Sequence, residues 1–420
     1  MSDADVVIPA TAPTDPAVVI ETAGGVIPRA VSSRLLTHGG ITIPHFFAMH
    51  VTGAGFPLVA GLLLYGWRAL GSIAIVLASA AIAVSLWKRI GKRGEQLRYS
   101  HTLWLAMLLA LTLPPHLMTD NYRLTPEVTI ETWPILPAAG LIIVPLIWLL
   151  GGLGSGRLHP VIIANLILTG FFPLLLLPHF SLQRGKIFLG DVMDVGKSDE
   201  AEIPRGPWIH APPIPGRDAV RVEQPASQRL ILYTSPRRAP ARAYMSLEAL
   251  LRDAMPPLED LILGGHPGSI GTSCAIAVII GGLFMLYRGV IDYRIPLLTI
   301  LCCYIALLLL PVPVAIRETT RLWQWTPMRH ASIGPALAVT FANYEIMASP
   351  LLFMAFFLAT STALRPLARR ARTIYAILLG FITGVLQLYV SVSVGAYLAL
   401  LLAGAIAPAL DRFFRPRTLV

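Results

Sequence analysis

The sequence predicts an all-α polytopic membrane protein, with about ten transmembrane helices in two inverted five-helix repeats whose third and eighth helices are short. Three observations lead there. The 420 residues are 55% hydrophobic and only 13% charged, whereas a soluble domain carries about 25% charge. Apolar runs approaching the ~20 residues needed to span ~30 Å of hydrocarbon recur along the chain. These runs fall as five, a long polar segment, then five more. Five is odd, so the second half enters the bilayer from the opposite side to the first.

In order, the expected spans are 45–66, 69–88, 101–115, 133–151, 159–178, 269–288, 294–315, 346–361, 373–390 and 393–411. The third stops at Leu113-Pro114-Pro115, because proline removes a donor and clashes with the preceding turn. The eighth follows Ser349-Pro350 and runs into Thr360-Ser361-Thr362. Paired short or interrupted helices at matching positions point to a midplane site in inverted-repeat proteins. The chain then divides into a disordered cytoplasmic tail (1–43), a first five-helix repeat (44–178), an extracytoplasmic segment (179–267), a second repeat (268–412) and a cytoplasmic tail (413–420). The first tail carries acidic residues and prolines, without the basic-then-apolar order of a signal peptide. Within the outer segment, residues 246–255 read as a short amphipathic helix with Leu247, Leu250, Leu251 and Met255 on one face.

Charge orients the spans. Lys88, Arg89, Lys92, Arg93 and Arg98 lie between spans two and three, Arg365, Arg369, Arg370 and Arg372 between eight and nine, and Arg412, Arg415 and Arg417 after ten. An inside N-terminus puts all three clusters in the cytoplasm, as the positive-inside rule requires. The net charge of +10 is thereby explained without nucleic acid. Cys274, Cys302 and Cys303 all sit in apolar runs, with no metal-ligand spacing or disulfide framework. They are expected to be small buried hydrophobes.

Two glycine-rich constellations stand out. One is Gly151-Gly152-Leu153-Gly154 through Pro160, a re-entrant turn that either packs closely or approaches a ligand. The other is Gly268, Ser269, Gly271, Thr272 and Ser273, at the mouth of span six. Its N–H groups and hydroxyls suit either an anion or flavin edge at a helix N-terminus, or plain helix capping. Neither is a P-loop, since no Gly-Lys-Ser/Thr follows. Ionisable groups in the spans are few: His45, His50, His101, His116 and Glu345, all read as interfacial residues near span ends. Dense carboxylate pathways of a proton pump are absent from the sequence.

Taken in order, several motifs resemble one family. They are Ala110-Leu111-Thr112-Leu113-Pro114-Pro115, Gly151-Gly152-Leu153-Gly154 with Pro160, Gly268-Ser269-Ile270-Gly271 and Gly281-Gly282-Leu283. Tyr287-Arg288-Gly289-Val290-Ile291, Arg294-Ile295-Pro296 and Ala355-Phe356-Phe357-Leu358-Ala359-Thr360 complete the set. From about residue 44 to 412 the chain is similar to the D-type subunit of the Rnf electron-transport complex and the B-type subunit of the sodium-translocating NADH:quinone oxidoreductase. The resemblance implies a ten-span inverted-repeat protein of the bacterial inner membrane with both termini cytoplasmic. It implies other subunits of an Rnf/Nqr-like complex and the lipid bilayer as partners, and electron flow coupled to sodium or proton movement. It also implies FMN, or alternatively riboflavin, bound at the outer face. The family's Ser/Thr-Gly-Ala-Thr attachment motif does not occur in 179–267; Thr234-Ser235-Pro236-Arg237-Arg238 stands in that region. By the resemblance, Thr234 and Ser235 with the 268–273 turn are the flavin-binding residues, and Gly151, Gly152, Gly154, Pro114 and Thr360 line the ion path or its re-entrant turns. The expected function is therefore an electron-transport membrane subunit. A flavin-free scaffold, or a small-solute channel or transporter on the same fold, is the alternative.

Overall fold

The computed structural model describes residues 43–414, except 91–96, 98, 119–121, 126–127, 131, 151–157, 173–175, 318–319, 325–333 and 362–363, and between 177 and 267 it describes only 230, 251, 255 and 258–264. Gly151, Gly152, Gly154, Thr234, Ser235 and most of the expected 246–255 helix therefore lie outside the described residues. The chain divides into two compact units, Met1–Ala48 and Met49–Val420. In the first, Phe46 and Phe47 meet edge to face. All packing described below lies in the second.

The described residues are overwhelmingly helical. The helices are α1 (Ile43–Tyr65), α2 (Trp67–Ile90), α3 (Tyr99–Thr112), α4 (Ile135–Leu149), α5 (Pro160–Phe171), α6 (Leu258–Leu263), α7 (Ala275–Tyr287), α8 (Arg294–Leu309), α9 (Gly334–Met347), α10 (Leu351–Leu358), α11 (Arg369–Tyr389) and α12 (Gly395–Phe413). By length and composition α1, α2, α11 and α12 can each cross a membrane, and α9 with α10 passes together as one span bent by 64°. α3, α4, α5, α7 and α8 are shorter apolar helices.

Two departures from the sequence reading have physical causes. Residues 312–315, expected in span seven, leave the helix. They begin an antiparallel hairpin of β3 (Val312–Arg317) and β4 (Thr320–Gln324). Pro311 and Pro313 disfavour helix at and before themselves, and Val312, Val314 and Ile316 suit a strand. A second hairpin, β1 (Tyr122–Thr125) with β2 (Val128–Ile130), follows α3. The eighth span does not begin at residue 346. The helix starts at Gly334 and breaks at Ser349-Pro350, so Glu345 lies inside the apolar body rather than at an interface.

The closest helix pairs match in the two halves. α2 crosses α4 where Gly140 faces Ser79 and the Val76 carbonyl, and α8 crosses α11 where Gly380 faces the Thr299 carbonyl. Each glycine precedes the last residue of its helix by nine (149 − 140 and 389 − 380). Any side chain there would enter the partner's backbone, so small residues set these approaches. Thr299 Oγ1 adds a hydrogen bond to the Ala376 carbonyl at 3.3 Å across the second pair.

Candidate functional site

Pro114 and Pro115 end α3 and leave its carbonyls short of donors. In a continuing helix Leu111 O would accept from residue 115, which as proline has no N–H. The 268–273 turn supplies the missing donors. Gly271 N–H bonds Leu111 O at 2.7 Å, and Ile270 N–H bonds Leu113 O at 3.0 Å. Gly271 is required by the approach: a Cβ there would lie 2.7 Å from Leu111 Cβ. Two motifs from opposite halves thus satisfy each other's backbone, as irregular chain in an apolar body must.

Tyr65, the last residue of α1, locks the turn. Gly268 N–H donates to Tyr65 Oη at 3.2 Å. The tyrosine hydroxyl is bonded to Ser273 Oγ, which donates onward to Ser269 O at 2.6 Å. The Ser269 and Thr272 hydroxyls bond each other, and the N–H groups of Thr272 and Ser273 both reach Ser269 O at 3.2 Å. Beneath, Asn165 Nδ2 on α5 donates to Thr112 Oγ1 at 3.0 Å. Every expected flavin-turn residue is therefore described, and the turn's hydroxyls and the N–H groups named here all bond within the chain.

The far end of the bent α9–α10 pair is built differently. At the end of α10, Ala359 N–H reaches back five residues to Met354 O at 2.8 Å, a π turn of the kind found at functional sites. Phe353 and Phe357 stack with ring centroids 5.1 Å apart. A Cβ at Gly282 would strike the Phe356 ring, and one at Gly281 would strike Gly53 O while lying 3.2 Å from Phe357. Gly281-Gly282 and Phe356-Phe357, separate motifs in the sequence, are one contact. Thr52-Gly53-Ala54-Gly55, a partial match to the flavin-attachment motif, here supplies the helix crossing through Gly53. Thr360 is buried and donates to Phe356 O at 2.6 Å. Pro114, expected on the ion path, thus sits at the α3 break, and Thr360, expected there too, lies just past the end of α10.

Sequence reasoning passed over four residues. Asp292 lies between two motif pieces; its Oδ2 is 2.8 Å from Arg372 Nη1 and its Oδ1 accepts Arg294 N–H at 3.2 Å. Burial raises its carboxyl pKa, but the Arg372 hydrogen bond, the Arg294 N–H and both arginine charges outweigh this and hold it below the usual value. Arg372 is only loop charge in the sequence; in the fold it also donates to the Pro366 and Leu367 carbonyls, and Leu367 N–H reaches Asp411. Tyr65 and Gln387 give no local signal. Of the histidines, His50 is buried against Trp104 with centroids 5.6 Å apart, and His101 is half-buried. The His45 and His116 side chains lie outside the described residues. Among the described residues no cluster of His, Cys, Asp and Glu fits a metal. Cys274 and Cys303 are buried free thiols, and Cys302 is half-buried.

These paired motifs span nearly the whole chain, and so does the family match. The model of the NQR2, RnfD, RnfE family matches residues 30–420. The chain belongs to that family. Among curated relatives, it is 25% identical over 387 residues to the D-type subunit of the "ion-translocating oxidoreductase complex" of Halorhodospira halophila, covering 91% of this chain and 92% of that protein. The D-type subunit of the "Na(+)-translocating ferredoxin:NAD(+) oxidoreductase complex" of Acetobacterium woodii is 31% identical over 39% of this chain and 43% of its own. Its counterpart in the "Proton-translocating" complex of Clostridium ljungdahlii is 28% identical over 37% and 41%. Relatives named for sodium and for protons resemble this NQR2/RnfD/RnfE member comparably, so similarity does not choose the ion.

Proposed function

We propose that this chain is the D-type membrane subunit of an ion-translocating electron-transport complex. In this reading it lies in the bacterial cytoplasmic membrane as ten spans in two inverted repeats, with both termini cytoplasmic. The observation that carries the reading is the joining of the family's dispersed motifs at two broken helices, α3 and α9–α10. Such breaks are where ion paths form, because freed backbone is tolerated in a membrane only inside protein or along a cavity. The matched α2–α4 and α8–α11 crossings support the repeat. Exposed Leu63, Leu70 and Ile82 on α1 and α2 support contact with lipid. The Asp292–Arg372 and Leu367–Asp411 contacts gather the ends of two basic clusters, which supports their common cytoplasmic side.

FMN, or riboflavin, belongs to the proposal for Thr234 and Ser235 only. The 268–273 turn does not fit a flavin in this arrangement, because its donors named above already have partners in the chain. When bound, a flavin supplies electron transfer; the turn's own work is to hold α3, α1 and α7 together. These engaged donors, with the missing attachment motif, favour a flavin-free scaffold as the second reading.

The test is affinity purification of the tagged full chain from native membranes in mild detergent. Co-elution of NADH-oxidising activity with the chain is expected. Elution of the chain alone would refute the subunit reading and favour an independent channel or transporter.

A further inference from the structure

Glu345 is fully buried on α9, and neither carboxylate oxygen has a hydrogen-bond partner among the described residues. Gln387 on α11 is also buried, and its Nε2 is likewise unpartnered. Cys303 on α8 joins them: its thiol donates to Gln387 Oε1 at 3.7 Å and lies within electrostatic reach of Glu345. Gln387 thus meets the thiol that interacts with Glu345, and the unpartnered carboxyl sits four residues before Ser349, where the Ser349-Pro350 break bends the pair by 64°.

Among the described residues no charge compensates this carboxyl. On α8 the titratable groups are Arg294, Cys302, Cys303 and Tyr304, of which Cys303 is the one that interacts with it; α6 carries Glu259, which is exposed, and Asp260; α10 carries none. On its own helix, Tyr344 is the neighbour. An ionised carboxylate buried without a partner is prohibitively costly and neutralises by taking up a proton. Hard cations demand a shell of several oxygens, and here a sulfur occupies one side of the site.

We propose that Glu345 is a proton-binding site inside the helical body. It rests as the neutral acid and exchanges its proton with water during turnover. Gln387 is its positioning residue, acting through the Cys303 thiol whose hydrogen bond it accepts. The proposal rests on the ion-path reading above and gives that path, in the second half, a proton as its cargo. It also accounts for an acidic residue where a leucine would pack at no electrostatic cost.

The test is difference infrared spectroscopy on the full chain in native membranes, wild type against Glu345→Gln. A protonated carboxyl C=O band is expected at neutral pH, shifted in heavy water and absent from the variant. Gln387→Leu should move the band without abolishing it, which a merely structural glutamine would not do. Absence of the wild-type band would overturn the proposal, because the group would then be ionised. A band that heavy water never shifts would also overturn it. So would loss of the band on adding sodium chloride, which would make the site a sodium site. The Cys274 labelling rate, unchanged in Glu345→Gln, confirms that the variant folds. Because the band reports on Glu345 alone, its absence with driven ion uptake intact sinks this proposal and leaves the subunit reading standing.

Discussion

Tyr65→Phe isolates the clamp between α1 and the 268–273 turn. The ring remains, so packing is kept, but the hydroxyl that links Gly268 N–H to Ser273 Oγ is lost. Ser273, 1% exposed, keeps its own bond to Ser269 O and loses only the one to Tyr65, and each hydrogen bond lost is worth ~0.5–1.5 kcal/mol. Gly268 is only half-buried, so water recovers part of its share, and about 2 kcal/mol is expected in total. That corresponds to roughly a 30-fold rise in the local opening equilibrium at about 1.4 kcal/mol per tenfold. Cys274, buried at the next position, reports the opening through maleimide labelling. Where closing outruns labelling, the rate follows the equilibrium. Cys303, remote on α8, should label at the wild-type rate in both proteins. A Cys274 rate that is unchanged in Tyr65→Phe would refute the clamp, and equal acceleration of both thiols would mean global rather than local loosening.

The remaining predictions concern packing, pH and flavin. Gly281→Ala places a methyl against Gly53 O and should destabilise by about 1–3 kcal/mol, read as a lower thermal midpoint in detergent; Gly55→Ala, with nothing within 4 Å, should be near neutral. Asp292→Asn breaks a pair whose side chains are 16% and 20% exposed and should lose about 1–2 kcal/mol at neutral pH. Because Asp292's folded pKa is held low, its contribution is full above the ordinary aspartate value of about 3.9 and fades as pH falls through the folded value. Wild type should therefore lose its advantage over Asp292→Asn only in acid, and a constant difference across pH would contradict the pairing. Covalent FMN is tested by intact mass: an added flavin mass that Thr234→Ala removes supports it, and an unmodified wild-type mass refutes it.

Hydropathy makes the helical class and most helix positions legible, because the apolarity of a run is a local property of sequence. The breaks are legible too: Pro114-Pro115 and Ser349-Pro350 announce themselves through missing donors. What pairs with them is not. That Gly271 answers Leu111, 160 positions away (271 − 111), is a tertiary fact with no periodic trace. The open turn suggests a ligand, and the broken helix is what its backbone holds. The sequence marks Glu345 but reads it as interfacial, since Pro350 looks locally like a helix start while α9 and α10 bend through it as one element. Residues 312–315 pass for helix because apolarity does not distinguish a strand from a helix end. Asp292 is hidden between two basic motif pieces, and only the fold brings Arg372 to it.

Driven ion uptake in inverted membrane vesicles, prepared from cells with the chain, without it, and with it restored, tests its role in the translocating complex. Electron transfer from NADH or reduced ferredoxin should acidify or load sodium into vesicles containing the chain, fail in vesicles lacking it, and recover on restoration. Uptake of equal rate in vesicles lacking the chain would contradict its assignment as a membrane subunit of the translocating complex.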